Sequence, residues 1–179
     1  IFAGWYVDNE LTTVVSGDSY GRFVYNTCKV YAKWVASSYS VTQDNAVSVI
    51  QSFYKEFDSY FKGSSSYLQA LNEDVNITIK GLLNEETLSN VAKSISGKLL
   101  VFIENDETTG ESKENYKPFV RVNLDISQVE GLTKIPDYCF SYESNPSLVS
   151  IKIAEGVSEI GDYAFKDCKV LTNVTIPAS

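Results

Sequence analysis

Two stretches near the end of the chain repeat one another position by position. Leu132-Thr-Lys-Ile-Pro-Asp-Tyr-Cys-Phe140 is followed by Leu148-Val-Ser-Ile-Lys-Ile153. Val157-Ser-Glu-Ile-Gly-Asp-Tyr-Ala-Phe165 is followed by Leu171-Thr-Asn-Val-Thr-Ile176. Ile135 and Phe140 recur at Ile160 and Phe165, an offset of 25; Leu148 and Ile153 recur at Leu171 and Ile176, an offset of 23. The two-residue difference falls around Glu143 and Ser144, where a solenoid tolerates insertions in a loop. A fixed period of this length means stacked coils, because one such unit cannot bury its own apolar face.

Within each unit the strand positions alternate. Ile151 and Ile153 take one face and Ser150 and Lys152 the other; Val174 and Ile176 oppose Asn173 and Thr175. Upstream, Val122, Leu124 and Ile126 alternate in the same way with Arg121, Asn123 and Asp125. Three parallel strands with one apolar and one polar face are therefore expected. Phe140 and Phe165 are expected to plug the return side of each coil.

These residues carry a family resemblance. Ile160-Gly-Asp-Tyr-Ala-Phe-Lys-Asp-Cys168, then Leu171-Thr-Asn-Val-Thr-Ile-Pro177, resembles the BspA-like leucine-rich repeat, and the likeness runs from about Val120 to Ser179. Cys139 departs from the pattern, standing where the family usually has Ala. The resemblance implies a surface-exposed or secreted protein with a role in adhesion or attachment. Its partners would be a host or extracellular protein, or a glycan.

At the other end, Cys28, Val30, Ala32 and Trp34 alternate with Lys29, Tyr31 and Lys33, a strand pattern. The combination of Phe2-Ala-Gly-Trp-Tyr-Val-Asp8, Leu11-Thr-Thr13 and Val30-Tyr-Ala-Lys-Trp34 resembles the second half of a Listeria–Bacteroides repeat. Between the two ends the period changes. Ala46, Ile50, Phe53, Phe57 and Tyr60, widened by Val47, Tyr54 and Phe61, predict a helix with Thr42 as N-cap and Gly63 beyond its end. Val75 to Ile79 predicts a strand. Asn84 to Ile95 predicts a helix capped by Asn84, with Leu88, Val91, Ala92 and Ile95 inward, and Leu99 to Ile103 another strand. A strand-helix-strand element ahead of the first coil fits a solenoid cap. The expected fold is thus α+β: a leucine-rich-repeat solenoid start, its cap, a helical segment and an N-terminal β module fragment. The boundaries fall at 1–36, 37–72, 73–119 and 120–179.

Charge and composition narrow the function. Fifteen Lys and Arg stand against 23 Asp and Glu, a formal net charge of −8, which disfavours nucleic acid and anionic membranes. No apolar run approaches the roughly 18 residues of a membrane span. Ile1 to Tyr6 has neither the basic start nor the apolar core of a secretory signal. The chain also contains no Met, not even an initiator, and is therefore expected to be an excised piece of a longer protein.

The chain contains no His and only three Cys, so Ser-His-Asp, Cys-His and Cys/His zinc arrangements are ruled out within it. No phosphate-binding glycine loop occurs. The oxygen-rich run Glu104 to Glu114 lacks calcium-loop spacing and reads as a solvated loop. Asn76-Ile-Thr78 and Asn173-Val-Thr175 match glycosylation sequons but fall on predicted strands. Tyr54, Tyr60, Tyr138 and Tyr163 sit at core or repeat positions, so most of the 12 tyrosines read as structural. No cofactor, metal or catalytic residue is expected. The expected role is a non-enzymatic interaction module, and its candidate contact residues are Arg121, Asn123, Asp125, Ser150, Lys152, Asn173 and Thr175. An accessory region of a larger secreted hydrolase and a surface spacer remain open.

Overall fold

The computed structural model describes residues 2–6, 10, 31–56, 74–95, 99–105, 112–118, 120–141 and 147–178. Its centre is a five-stranded parallel sheet. In chain order the elements are β1 (Phe2–Tyr6), β2 (Tyr31–Trp34), β3 (Ser38–Val41), α1 (Ala46–Lys55), β4 (Asp74–Leu82), α2 (Glu85–Ile95), β5 (Leu99–Asn105), β6 (Ser112–Pro118), β7 (Arg121–Glu130), β8 (Lys134–Ile135), β9 (Leu148–Lys152), β10 (Glu159–Ile160) and β11 (Asn173–Thr175). The sheet order is β11-β9-β7-β4-β3.

The three repeat strands β7, β9 and β11 stack in register, as their alternation predicts. Leu124 faces Ile151 and Ile151 faces Val174; Asn123 faces Ser150 and Ser150 faces Asn173. The sheet does not end at the first repeat. β4 pairs in parallel with β7, placing Ile77 beside Leu124, and β3 pairs in parallel with β4, placing Tyr39 beside Ile77. One inward row therefore runs Tyr39, Ile77, Leu124, Ile151, Val174. The β3-α1-β4 and β4-α2 segments use helices where the later coils use short strands and turns.

Both helices present the apolar stripe that a 3.6-residue period requires. α1 buries Ala46, Ile50, Phe53 and Tyr54; α2 buries Leu88, Val91, Ala92 and Ile95. The helices meet at the Tyr54 hydroxyl, which donates to the Ile95 carbonyl at 3.0 Å and satisfies an acceptor at the end of α2. Asn84 caps α2 as expected, its Oδ1 accepting the Thr87 N–H at 2.8 Å. The cap of α1 differs from expectation. Asn45, not Thr42, is the N-cap residue. Thr42 lies one turn earlier, its carbonyl accepting the N–H groups of Asn45 and Ala46, while Asn45 Oδ1 accepts the Thr42 N–H at 2.9 Å. This reciprocal turn uses the side chain that would otherwise cap the helix. Phe57, Tyr60, Phe61 and Gly63, expected to continue or end this helix, lie outside the described residues.

The strand from Leu99 leaves the sheet. It pairs antiparallel with β6, Leu99 to Pro118 through Asn105 to Ser112, so Glu104 of the acidic run stands opposite Lys113 and Ile103 opposite Glu114; residues 106–111 of that run lie outside the described residues. Only the first strand and the helix of the expected cap continue the solenoid. β1 and β2 form a separate antiparallel pair, Trp5 opposite Ala32 and Tyr6 opposite Tyr31. Leu11 to Thr13, Cys28 and Val30, also assigned to this module, lie outside the described residues.

On the return side, β8 and β10 pair in parallel, and backbone bonds carry the coil-to-coil ladder onward. Gly161 N–H donates to the Ile135 carbonyl at 2.8 Å, Tyr138 N–H to Asp162 at 2.9 Å, and Phe140 N–H to Ala164 at 2.8 Å. Phe140 is fully buried and stacks on Phe165 with centroids 5.3 Å apart and planes at 3°, the expected plug. Ile135, Leu132 and Cys139 fill the coil around it, and Cys139 and Cys168 are free thiols. At the last coil the core positions open: Ile160 and Ile176 are 42% and 61% exposed, whereas Ile135 and Ile153 one coil earlier are buried.

Candidate functional site

The seven candidate contact residues share one face of the sheet, and the cap strands extend it. The register assembles two polar rows across five strands. One reads Ser38, Asn76, Asn123, Ser150, Asn173; the next reads Ser40, Thr78, Asp125, Lys152, Thr175. Arg121 begins a third row beside Asp74. The residues on β3 and β4 were missed from sequence, although Val75-Asn-Ile-Thr-Ile79 alternates as β7 does. The available signal was this shared period; the missing fact was that β4 lies against β7.

The middle of this face is tied together by side-chain hydrogen bonds. Arg121 Nε donates to Asp74 Oδ1 at 2.6 Å. Asn123 Nδ2 donates to Asp74 Oδ2 and to Asn76 Oδ1, each at 3.1 Å, and Asn123 Oδ1 accepts from Ser150 Oγ at 2.6 Å. Burial raises the Asp74 carboxyl, but the bonds from Arg121 and Asn123 and the guanidinium charge outweigh it and hold the group below its ordinary value.

Asp125 is held down in the same sense. Burial opposes its ionisation, and the Ser127 hydroxyl and N–H together with the Lys152 ammonium favour it. The Ser127 bonds, 2.6 Å from Oγ and 3.0 Å from N, brace a bulge where β7 has an extra residue relative to β4 between Thr78 and Lys80. Lys152 Nζ stands 3.6 Å from Asp125 Oδ2. Asn173 and Thr175, on the last strand, are exposed. Below the rows, a shallow groove of about 470 Å³ runs past Gln128, Glu130, Lys152, Glu155 and Thr175.

The return side corrects one reading. Tyr138 and Tyr163, expected at structural positions, are 55% and 60% exposed. Both have positive φ, 55° and 56°, a left-handed conformation that turns the side chain out of the coil. Their rings stack with centroids 5.1 Å apart, and Lys166 Nζ lies 5.7 Å over the Tyr163 ring. Lys134 bridges the two coils beside them, 3.2 Å from Asp137 and 2.8 Å from Glu159.

Among the described residues no cluster of three or more His, Cys, Asp or Glu could hold a metal ion. No described helix is long and apolar enough to cross a membrane. Burial pushes the Cys139 thiol up to about 12 and the Cys168 thiol up to about 11, so both are protonated near neutrality.

Two family models match the chain. The BspA-type leucine-rich repeat region, described with six copies, matches residues 119–179, the segment that begins with β7. Repeat regions of this type are generally binding modules. No curated protein and no solved structure matches. The other model spans the cap, the β5–β6 pair and the first coil through Asp137 as one unit: the CLZ1 N-terminal domain matches residues 7–137, well over half of the chain, and the chain belongs to that family.

Proposed function

We propose that this chain is a non-enzymatic interaction module of a cell-surface or secreted protein, binding an extracellular or host protein across the polar face of its sheet. The observation that carries this reading is the pair of five-residue polar rows, built on a rigid parallel ladder and continuous from cap to last coil. Parallel solenoid sheets offer such extended surfaces to protein partners. The contact residues are Arg121, Asn123, Asp125, Ser150, Lys152, Asn173 and Thr175. Asp74, Asn76 and Thr78 join them through the register. Arg121, Asp74, Asn76, Asn123 and Ser150 hold one another, so Lys152, Asn173 and Thr175 carry most of the contact. In the same reading, residues 1–36 are the end of a Listeria–Bacteroides-type repeat and 120–179 the repeats, while β3, α1, β4 and α2 between them serve as the cap and β5 and β6 stand apart from it.

The test is binding of the whole chain to immobilised extracellular-matrix proteins and to a glycan array. Lys152→Glu combined with Asn173→Lys should lower protein binding at least tenfold and the melting temperature by no more than about 8 °C, because losing the exposed Lys152–Asp125 pair and facing Asp125 with a carboxylate cost at most about 1 kcal/mol each. Unchanged binding in this variant removes the sheet face. Saccharide binding without protein binding favours an accessory role beside a hydrolase.

A further inference from the structure

The sheet face has no aromatic side chain in its polar rows, and its central groups spend their donors on one another. The return side offers the opposite: an exposed, repeated Asp-Tyr pair. Asp137-Tyr138 and Asp162-Tyr163 occupy equivalent positions one coil apart. Tyrosine is enriched among residues that dominate protein interfaces, because its ring brings large contact area with little conformational freedom to lose.

Backbone geometry makes these tyrosines costly to keep. A non-glycine residue at φ 55° is disfavoured by the approach of Cβ to the following carbonyl, and Gly or Asn occupies that region more easily. A buried ring could offset the strain through packing, but these rings are more than half exposed. Their mutual stack returns part of it. Strain held twice, at equivalent positions, on exposed aromatics points to a surface made for contact.

The surroundings identify the contact chemistry as cationic. Lys166 already lies over the Tyr163 ring, showing that its electron-rich face accepts an ammonium. Each tyrosine follows an exposed aspartate, and Asp137 additionally draws in Lys134. A guanidinium satisfies both features together, since its plane lies on an aromatic ring while its fork meets a carboxylate. A neutral sugar ring would use the aromatic face but not the acids. The net charge of −8 further favours a basic partner.

We infer that the stacked Tyr138–Tyr163 pair, with Asp137 and Asp162, is a second docking surface that takes an arginine-bearing loop of a protein partner, the arginine displacing Lys166. This rests on the chain being an interaction module, but on a different face from the sheet.

The experiment titrates the whole chain with a blocked peptide carrying two arginines, followed by NMR of the tyrosine rings. A citrulline peptide of the same shape and a neutral maltohexaose serve as comparators. Saturable shifts confined to Tyr138, Tyr163 and their aspartates are expected, with at least tenfold weaker binding of the citrulline peptide. Asp137→Asn with Asp162→Asn keeps an acceptor for the Asp162 N–H, bonded at 3.1 Å to Asp137 Oδ1, and should weaken binding at least fivefold. Lys166→Gln should tighten it by removing the internal competitor.

Equal response to citrulline, equal response to maltohexaose, shifts centred on Asp74 and Asp125, or no saturable shift overturns the inference. Lys152→Glu with Asn173→Lys should leave arginine binding unaltered. A chain that ignores the arginine peptide but binds proteins through the sheet refutes only this surface.

Discussion

Replacing Gly161 with Ala tests how closely the coils stack. Gly161 follows β10, and its N–H bonds the Ile135 carbonyl of the preceding coil at 2.8 Å. A Cβ built there would lie 2.5 Å from Asp137 N and 2.8 Å from Pro136 C, both backbone atoms that a rotamer change cannot move. Ordinary carbon contacts begin near 3.5 Å, so the second coil must move out by about 0.7 to 1 Å. That stretches the Gly161 bond beyond useful hydrogen-bond length, a loss of about 1 kcal/mol, and adds an overpacking cost of about 1–3 kcal/mol. The expected destabilisation is about 2–4 kcal/mol. At about 2–4 °C per kcal/mol for a chain of this size, the melting temperature should fall by roughly 4–16 °C.

The loss should concentrate in the last coil, seen as reduced hydrogen-exchange protection of the Gly161, Tyr138 and Phe140 amides. Gly81→Ala is the contrasting variant. Its φ is 75° with nothing within 4 Å, so only backbone strain of about 1 kcal/mol is expected. Equal melting temperatures for Gly161→Ala and the wild type, with unchanged exchange in the last coil, would refute the close-stacking argument.

Three further outcomes follow from burial and charge. Phe140→Ala should cost about 3–5 kcal/mol in chemical denaturation, because the ring is fully buried, while Phe165→Ala, on the more open coil, should cost clearly less. Asp74 is held below its ordinary value of 3.8, so its contribution is present above that pH and is lost as acid is added through the lower folded value. Thermal melts below pH 4 should therefore fall less steeply in Asp74→Asn than in the wild type, by an amount under about 1 kcal/mol given the exposed Arg121 partner. Cys139, buried and shifted to about 12, should react with a thiol reagent at pH 7.5 only after unfolding, and at least tenfold more slowly than Cys168, which is partly exposed.

Much of the solenoid is legible from local pattern. Period-two alternation assigns Leu124, Ile151 and Val174 to one face and Asn123, Ser150 and Asn173 to the other, because successive strand side chains must point opposite ways. The Asn84 cap and the apolar stripe of α2 are equally local, since their partners lie within one helical turn. The seven contact candidates were found this way, and the tertiary structure brings them onto a single face.

What required the tertiary structure is non-local. Alternation in Val75 to Ile79 says which side chains share a face but not which strand lies beside them, so only the fold decided that β4 and β3 carry the sheet past the repeats. The same ignorance of pairing left the strand from Leu99 in the cap, where the fold pairs it with β6 in a separate antiparallel pair. Repeat position marked Tyr138 and Tyr163 as equivalent but could not give their direction, because a positive φ swings Cβ out of the coil that the spacing alone implies. Sequence period thus determined the units and their faces. Backbone conformation at a few turns, and the choice of neighbour for each strand, determined what those faces present.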